Sequence, residues 1–264
     1  MSRPVEQPLG PVGPPLTGRQ IMSQDWVDLT FLHWRVDPAL VAPMMPRGVR
    51  PDVHDGGTWV GLVPFTISRA GVGRGPAVPW WGTFPETNVR LYSIDEQGRR
   101  GVVFRSLEAS RLAVVLGSRA VFNLPYRWAR MSVARSVVAD LELDYRTSRR
   151  FAARGSRRVA GGAPVGGRVL VRVGERIAEP TPLQLFLTSR WGLHTSLFGR
   201  TVYVPNTHGV WPLHEATLLH LQDTLVAAAG LPGVVDTPPD SVLFSPGVHA
   251  FFGLPHLASR PVRA

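Results

Sequence analysis

Short runs of β-branched and aromatic residues recur along this chain, and what separates them is mostly turn chemistry rather than long helices. Residues 49–53 and 58–67 flank Asp55-Gly56-Gly57, and residues 87–94 and 101–109 flank Asp95-Glu96-Gln97-Gly98. Both are hairpin signals, because Asp and Gly supply the backbone conformations that tight turns need. Residues 128–136, 140–147 and 168–173 add strands with rough period-2 alternation, and 201–204, 216–220, 242–244 and 248–252 are shorter candidates. Helical signals are few and brief. Asp37-Pro38 and Thr181-Pro182 each pair a capping side chain with proline at the first helical position. Ser110 caps an amphipathic run over 111–121, and residues 223–229 end at Gly230. With no alternation of strand and helix and no repeat period, the pattern predicts a mainly β (α+β) chain, an antiparallel sheet closed into a β-barrel with a few short helices.

Composition narrows the class. At 264 residues, 44% hydrophobic and 18% charged, the chain has enough apolar material for one large core. A single domain over 21–256 is expected, preceded by a Pro/Gly-rich disordered or loosely draped arm (1–20) and followed by a basic tail (257–264). No apolar run approaches the roughly 18 residues a membrane span requires, nor does the N-terminus carry a signal-peptide core, so a soluble cytoplasmic protein is expected. Cysteine is absent, which excludes disulfides, thiolate metal sites and cysteine nucleophiles. The net charge of +10 invites a polyanion reading, centred on the arginine-rich stretch 149–158. A solvated loop between strands explains that stretch more simply, and nucleic acid is not expected as a partner. A homo-oligomer remains compatible with this composition.

Several blocks in order resemble the YqjF-like family, whose uncharacterised members are placed in the acetoacetate-decarboxylase-like superfamily. They are Gln24-Asp25-Trp26 with Phe31-Leu32-His33-Trp34, then residues 58–65, Phe84-Pro85-Glu86-Thr87-Asn88-Val89-Arg90, residues 104–127, Phe186-Leu187-Thr188-Ser189-Arg190-Trp191, and His208-Gly209-Val210-Trp211-Pro212-Leu213 with residues 228–232. The resemblance implies the decarboxylase fold. It also implies a departure from decarboxylase chemistry, because the segment 117–127 resembles the motif that carries the Schiff-base lysine and its neighbouring lysine, and Tyr126 and Arg127 stand in those two places. Ala120 and Asn123 also depart from the motif. All 29 Lys-plus-Arg residues are arginine, and a guanidinium cannot form a Schiff base.

Candidate chemistry concentrates on one strand. Period 2 places Glu86, Asn88, Arg90 and Tyr92 on one face and Thr87, Val89 and Leu91 on the other. Such a face is either solvated or a polar pocket wall, and the resemblance favours the pocket. There Glu86 is the candidate general acid or base and Arg90 the candidate anchor for a carboxylate, with Asn88 and Tyr92 beside them. A buried Glu86–Arg90 pair that does no chemistry is the competing reading. Tyr126 is read as a hydrogen-bond donor to a developing oxyanion or as an aromatic plug. Arg105, amid apolar neighbours, is read as a further ligand contact or as an ion-pair partner of Glu108 or Glu142. His33 reads as a hydrogen-bonded core residue, His208 as a residue near a barrel mouth, Arg119 as helix packing, and Trp80-Trp81 as an aromatic rim or lid. The eight histidines show no metal-ligand spacing, Gly71 to Gly75 lacks the helix of a phosphate loop, and no nucleophile elbow occurs. The expectation is a cofactor-independent, metal-free lyase, isomerase or cyclase acting on a small carbonyl or carboxylate compound. The alternative is a small-molecule-binding barrel without catalysis.

Overall fold

The computed structural model describes residues 5–16, 18–73, 75, 82–116, 123–138, 140–150 and 164–258. Among the described residues thirteen strands join in one sheet: β1 (Gln20–Val36), β2 (Val49–Pro51), β3 (Thr58–Val72), β4 (Phe84–Asp95), β5 (Arg100–Ala109), β6 (Tyr126–Val137), β7 (Leu141–Arg149), β8 (Gly166–Arg176), β9 (Gly192–Leu197), β10 (Arg200–His208), β11 (His214–Asp223), β12 (Ser241–Gly253) and β13 (His256–Leu257). The mainly β reading therefore holds.

The pairings return on themselves twice. One circuit runs β12–β1–β3–β4–β5–β9–β10 and back to β12. The other leaves β5 through β6, β7, β8 and β11 before rejoining β12. Strands β12, β1, β3, β4 and β5 belong to both, so they form a shared wall with an interior on each side. The sheet is not wholly antiparallel as expected, since β5 pairs in parallel with both β6 and β9. Nor do β2 and β3 form a ladder: the Asp55-Gly56 turn closes only a bridge from His54 to Gly57, and β2 pairs with β4.

Alternation along the shared wall sorts side chains between the two interiors. Leu32, Trp34, Val60, Leu62, Val89 and Leu91 enter the first, where Leu143, Tyr145, Val169, Val171 and Phe244 meet them. Helix Leu225–Ala228 closes that interior with Leu225 and Val226. The intervening residues Leu29, Phe31, Val63, Phe65, Phe84 and Leu107 face the second. A bulge at β4–β5 pairs Val89 with Ser106 but Arg90 with Phe104, leaving Arg105 as the extra residue.

Local signals hold where capping chemistry is strong. Asp37 accepts from Ala39 N (2.8 Å) at the start of helix Pro38–Val41. Thr181 and Gln184 form a reciprocal capping box on helix Pro182–Thr188. Residues 112–116 are helical, and the remainder of that predicted helix lies outside the described residues, as do Arg119, Trp80, Trp81 and most of the arginine-rich loop. The arm, expected to be disordered or loosely draped, makes definite contacts over residues 5–16. Gln7 N donates to Gly98 O (2.8 Å), Arg100 bonds the Gln7 carbonyl and Glu6 carboxylate, and Leu9 packs on the cluster of Trp59, Tyr92, Phe186 and Leu187. Among the described residues no helix is long and apolar enough to cross a membrane.

Candidate active site in the second interior

The second interior is not filled. It holds a cavity of about 380 Å³ whose lining includes Glu86, Asn88, Arg90 and Tyr126. Register explains how it is layered. Going down β4, Phe84 lies opposite Ile67, Glu86 opposite Phe65, Asn88 opposite Val63 and Arg90 opposite Gly61. Gly61 in turn pairs with His33 on β1. A side chain at Gly61 would put its Cβ 3.1 Å from Arg90 Cγ and 3.3 Å from the His33 ring, so glycine makes the room that the arginine stem occupies.

Glu86 is 3% exposed, and its carboxyl Oε2 accepts a 2.9 Å hydrogen bond from the Tyr126 hydroxyl. Burial pushes the Glu86 pKa up to about 8; the Tyr126 bond opposes the rise and the nearby Glu108 charge adds to it. Glu86 is therefore mainly protonated at neutral pH. The Glu86–Arg90 ion pair considered from sequence does not form. Arg90 instead donates from one Nη to the Tyr92 hydroxyl (3.0 Å) and the Leu187 carbonyl (3.2 Å), and its Nε has no partner among the described residues. Tyr92 itself lies beneath the cavity floor. Its hydroxyl donates to Leu187 O (2.9 Å), so His33 Nε2, 2.5 Å away, must donate to it. His33 is buried and neutral, its pKa held well below the usual imidazole value by desolvation and by the charges of Arg90 and Arg190. The hydrogen-bonded core role expected for it is what the structure shows.

One candidate from sequence separates from this group. Arg105, the bulge residue, does not line the cavity; its Nε reaches the Ala229 carbonyl (3.4 Å) beyond helix Leu225–Ala228. Neither anticipated ion pair forms, since Arg149 takes Glu108 and Arg172 takes Glu142. Arg127, next to Tyr126, sits opposite Glu108 in the β5–β6 register and acts on that carboxylate electrostatically.

The structure adds residues that spacing did not single out. Arg190 lines the cavity while fully held: Nη1 pairs with Asp52, Nε donates to Phe186 O (2.8 Å), and the guanidinium lies 4.1 Å from the Phe186 ring centroid. Asp52 is bound in turn by Arg100 (2.6 Å). Asn206 also lines the cavity, and among the described residues the buried amide oxygens of Asn88 and Asn206 have no donor and the buried Trp26 indole N–H has no acceptor. Buried polar atoms are rarely left so, and groups of this kind around a cavity are what a polar ligand satisfies. His208 donates from Nδ1 to Gly209 O (2.7 Å), stands among Trp191, Trp211 and Trp26, and has its pKa lowered by burial to about 4. Arg190 was visible in sequence only as part of a family block. Its partner Asp52 is far away in the chain, and no spacing rule connects them.

Most of the wall is apolar, from Ile21, Met22, Trp26, Phe31, Phe65, Ile67, Phe84, Phe104 and Trp211 among others. Among the described residues no group of three or more His, Asp or Glu stands together as a metal site.

This arrangement, a mainly β chain with an acid, an amide and a guanidinium stacked on one strand inside a cavity, has the fold of acetoacetate-decarboxylase-like proteins. An acetoacetate decarboxylase-like enzyme from Sphingomonas wittichii RW1 superposes with a TM-score of 0.60 at 14% identity, covering 91% of this chain and 93% of that one. The enduracididine biosynthesis enzyme MppR, in complex with pyruvate, gives 0.59 at 15% identity and 92% of each chain. Acetoacetate decarboxylase from Legionella pneumophila gives 0.58 at 11% identity, over 95% of this chain and 93% of that chain. Residues 23–249 match the model of DUF2071, described as an uncharacterized conserved protein, and the chain belongs to that family. The uncharacterized protein YqjF of Bacillus subtilis (strain 168) is 30% identical over 214 residues, 81% of this chain and 84% of that protein.

Proposed function

We propose that the chain is a closed β-barrel enzyme of the cytoplasm that performs cofactor-independent acid–base chemistry on a carbonyl-bearing carboxylic acid, without a Schiff base. The observation that carries this reading is the state of Glu86: a buried carboxyl with a pKa of about 8, held by Tyr126, in one cavity with an Arg90 that has no carboxylate partner among the described residues. An acid with a pKa near ambient pH has both forms available, which is what proton transfer in either direction requires. In this reading Arg90 binds the substrate carboxylate. The ionised form of Glu86 takes a proton from the carbon beside the carbonyl and returns it to another atom of the same enol. Tyr126, no longer needed by a protonated Glu86, turns its hydroxyl to the enolate oxygen. Asn88 supplies a further polar contact, and Tyr92 holds the Arg90 guanidinium from below.

A screen by thermal shift and mass spectrometry against keto acids, lactones and enolisable carbonyls finds the substrate. With it in hand, Glu86→Gln should lower kcat by roughly 10²–10⁴-fold and Arg90→Ala should raise KM. Unchanged turnover in both variants sinks the assignment. The apolar character of most of the wall favours a second reading, in which the barrel binds a small molecule and does not convert it; stabilisation by a compound that keeps its mass would mark that case.

A further inference from the structure

The cavity is much longer than the polar stretch of β4, and most of its wall is apolar. Arg90, Asn88, Glu86 and Phe84 are successive inward positions on one strand, so the guanidinium and the Phe84 ring belong to levels about 20 Å apart along the backbone at ~3.3 Å per residue. The polar side chains of this strand stop at Glu86. Beyond it the lining from β3 and β4 is apolar, with Phe84 opposite Ile67, Ile67 opposite Trp26, and then Ala70, Gly71 and Val72 with Met22 opposite Val72, while Gln24 on β1 and His208 and Asn206 on β10 are the polar residues at that end. A compact keto acid spanning Arg90 and Glu86 would leave these levels empty. Apolar wall of this extent is favourable only when an apolar group covers it.

We propose that the ligand is a monocarboxylic oxo acid carrying an apolar tail, a medium-length alkyl chain or an aryl group, with its carboxylate at Arg90 and its tail between Phe84, Ile67, Trp26 and Met22. This deepens the function proposed above and rests on the same orientation of the acid on Arg90. The unpartnered Arg90 Nε then donates to the carboxylate of the ligand, and the aromatic wall meets its tail.

The length series uses the wild-type chain alone, and one variant checks the head group. Calorimetric titration with propanoate, hexanoate, octanoate and decanoate should show affinity rising about three- to fourfold per methylene, the increment for burying one CH₂. Primary alcohols of equal length should bind more weakly throughout, and Arg90→Met should erase that difference. Affinity that stays flat from propanoate to decanoate, or alcohols that match the acids, overturns the proposal. Turnover of the matching oxo acids separates the two claims. A rising series without turnover keeps the tailed ligand and removes the enzyme; turnover of short oxo acids with a flat series keeps the enzyme and removes the tail.

Discussion

The two interiors share a wall of the same five strands, yet one is packed shut and the other holds a cavity. On the first side Leu32, Leu62, Val89 and Leu91 meet side chains of β7, β8 and β12, and helix Leu225–Ala228 fills what remains. On the second side the same strands present Phe31, Val63, Phe65, Glu86, Asn88 and Arg90 to open space. Alternation deals residues to both sides equally. The difference arises from what covers each side: on the packed side the polar Thr30 and Thr87 meet Tyr145 and Thr147 of β7, whereas Asn88 and Arg90 face open space.

That contrast can be broken at its most costly point first. Asp52→Asn removes the partner of the buried Arg190, an ion pair with both side chains 3% exposed, and should cost about 3–5 kcal/mol in denaturant unfolding. A loss below 1 kcal/mol would show that the cavity floor is not held by this pair.

Leu62→Ala on the packed side should cost about 2–5 kcal/mol. Leu193→Ala on the cavity side should cost clearly less, because Leu193 already borders space and loses fewer contacts. Equal losses would mean the second interior is as well packed as the first.

Glu86→Gln reads the open side through pH. The folded pKa of about 8 lies above the usual 4.5, so the folded chain holds this proton more tightly. The corresponding stability is complete below pH 4.5, declines as pH rises and levels off above pH 8. The Gln variant lacks this decline, and relative to wild type it should gain about 3 kcal/mol between pH 4.5 and pH 7. Parallel stability–pH curves for the two proteins would refute the buried, protonated carboxyl. The smallest effect is expected from Thr181→Ala, which uncaps the helix that brings Thr188 to the cavity and should cost about 1 kcal/mol by thermal unfolding.

How far the sequence was legible follows from the same contrast. The β4 face was readable because one side of the strand is polar and the other apolar. The longest strand, β1, was not read as a strand. Residues 29–34 are buried on both faces, which removes the period-2 signal, and Asp28 at φ 53° breaks the register between Val27 and Leu32. Arg105, amid apolar neighbours, was open to a ligand contact or to an ion pair with Glu108 or Glu142. A bulge shifts the inward positions from Val102 and Phe104 to Leu107 and Ala109 and turns Arg105 away, a one-residue change that no composition signal records.

Turn, cap and alternation chemistry act over a few residues, so the sequence by itself determined the β class, the capped helix starts, the polar face of β4 and the absence of any lysine amine. The parallel joins of β5, the shared wall, the meeting of Tyr126 with Glu86 across 40 positions of chain and of Arg190 with Asp52 across 138 were decided only in the tertiary structure. Those contacts depend on which strands become neighbours, and that is set by how the whole sheet buries its two faces at once.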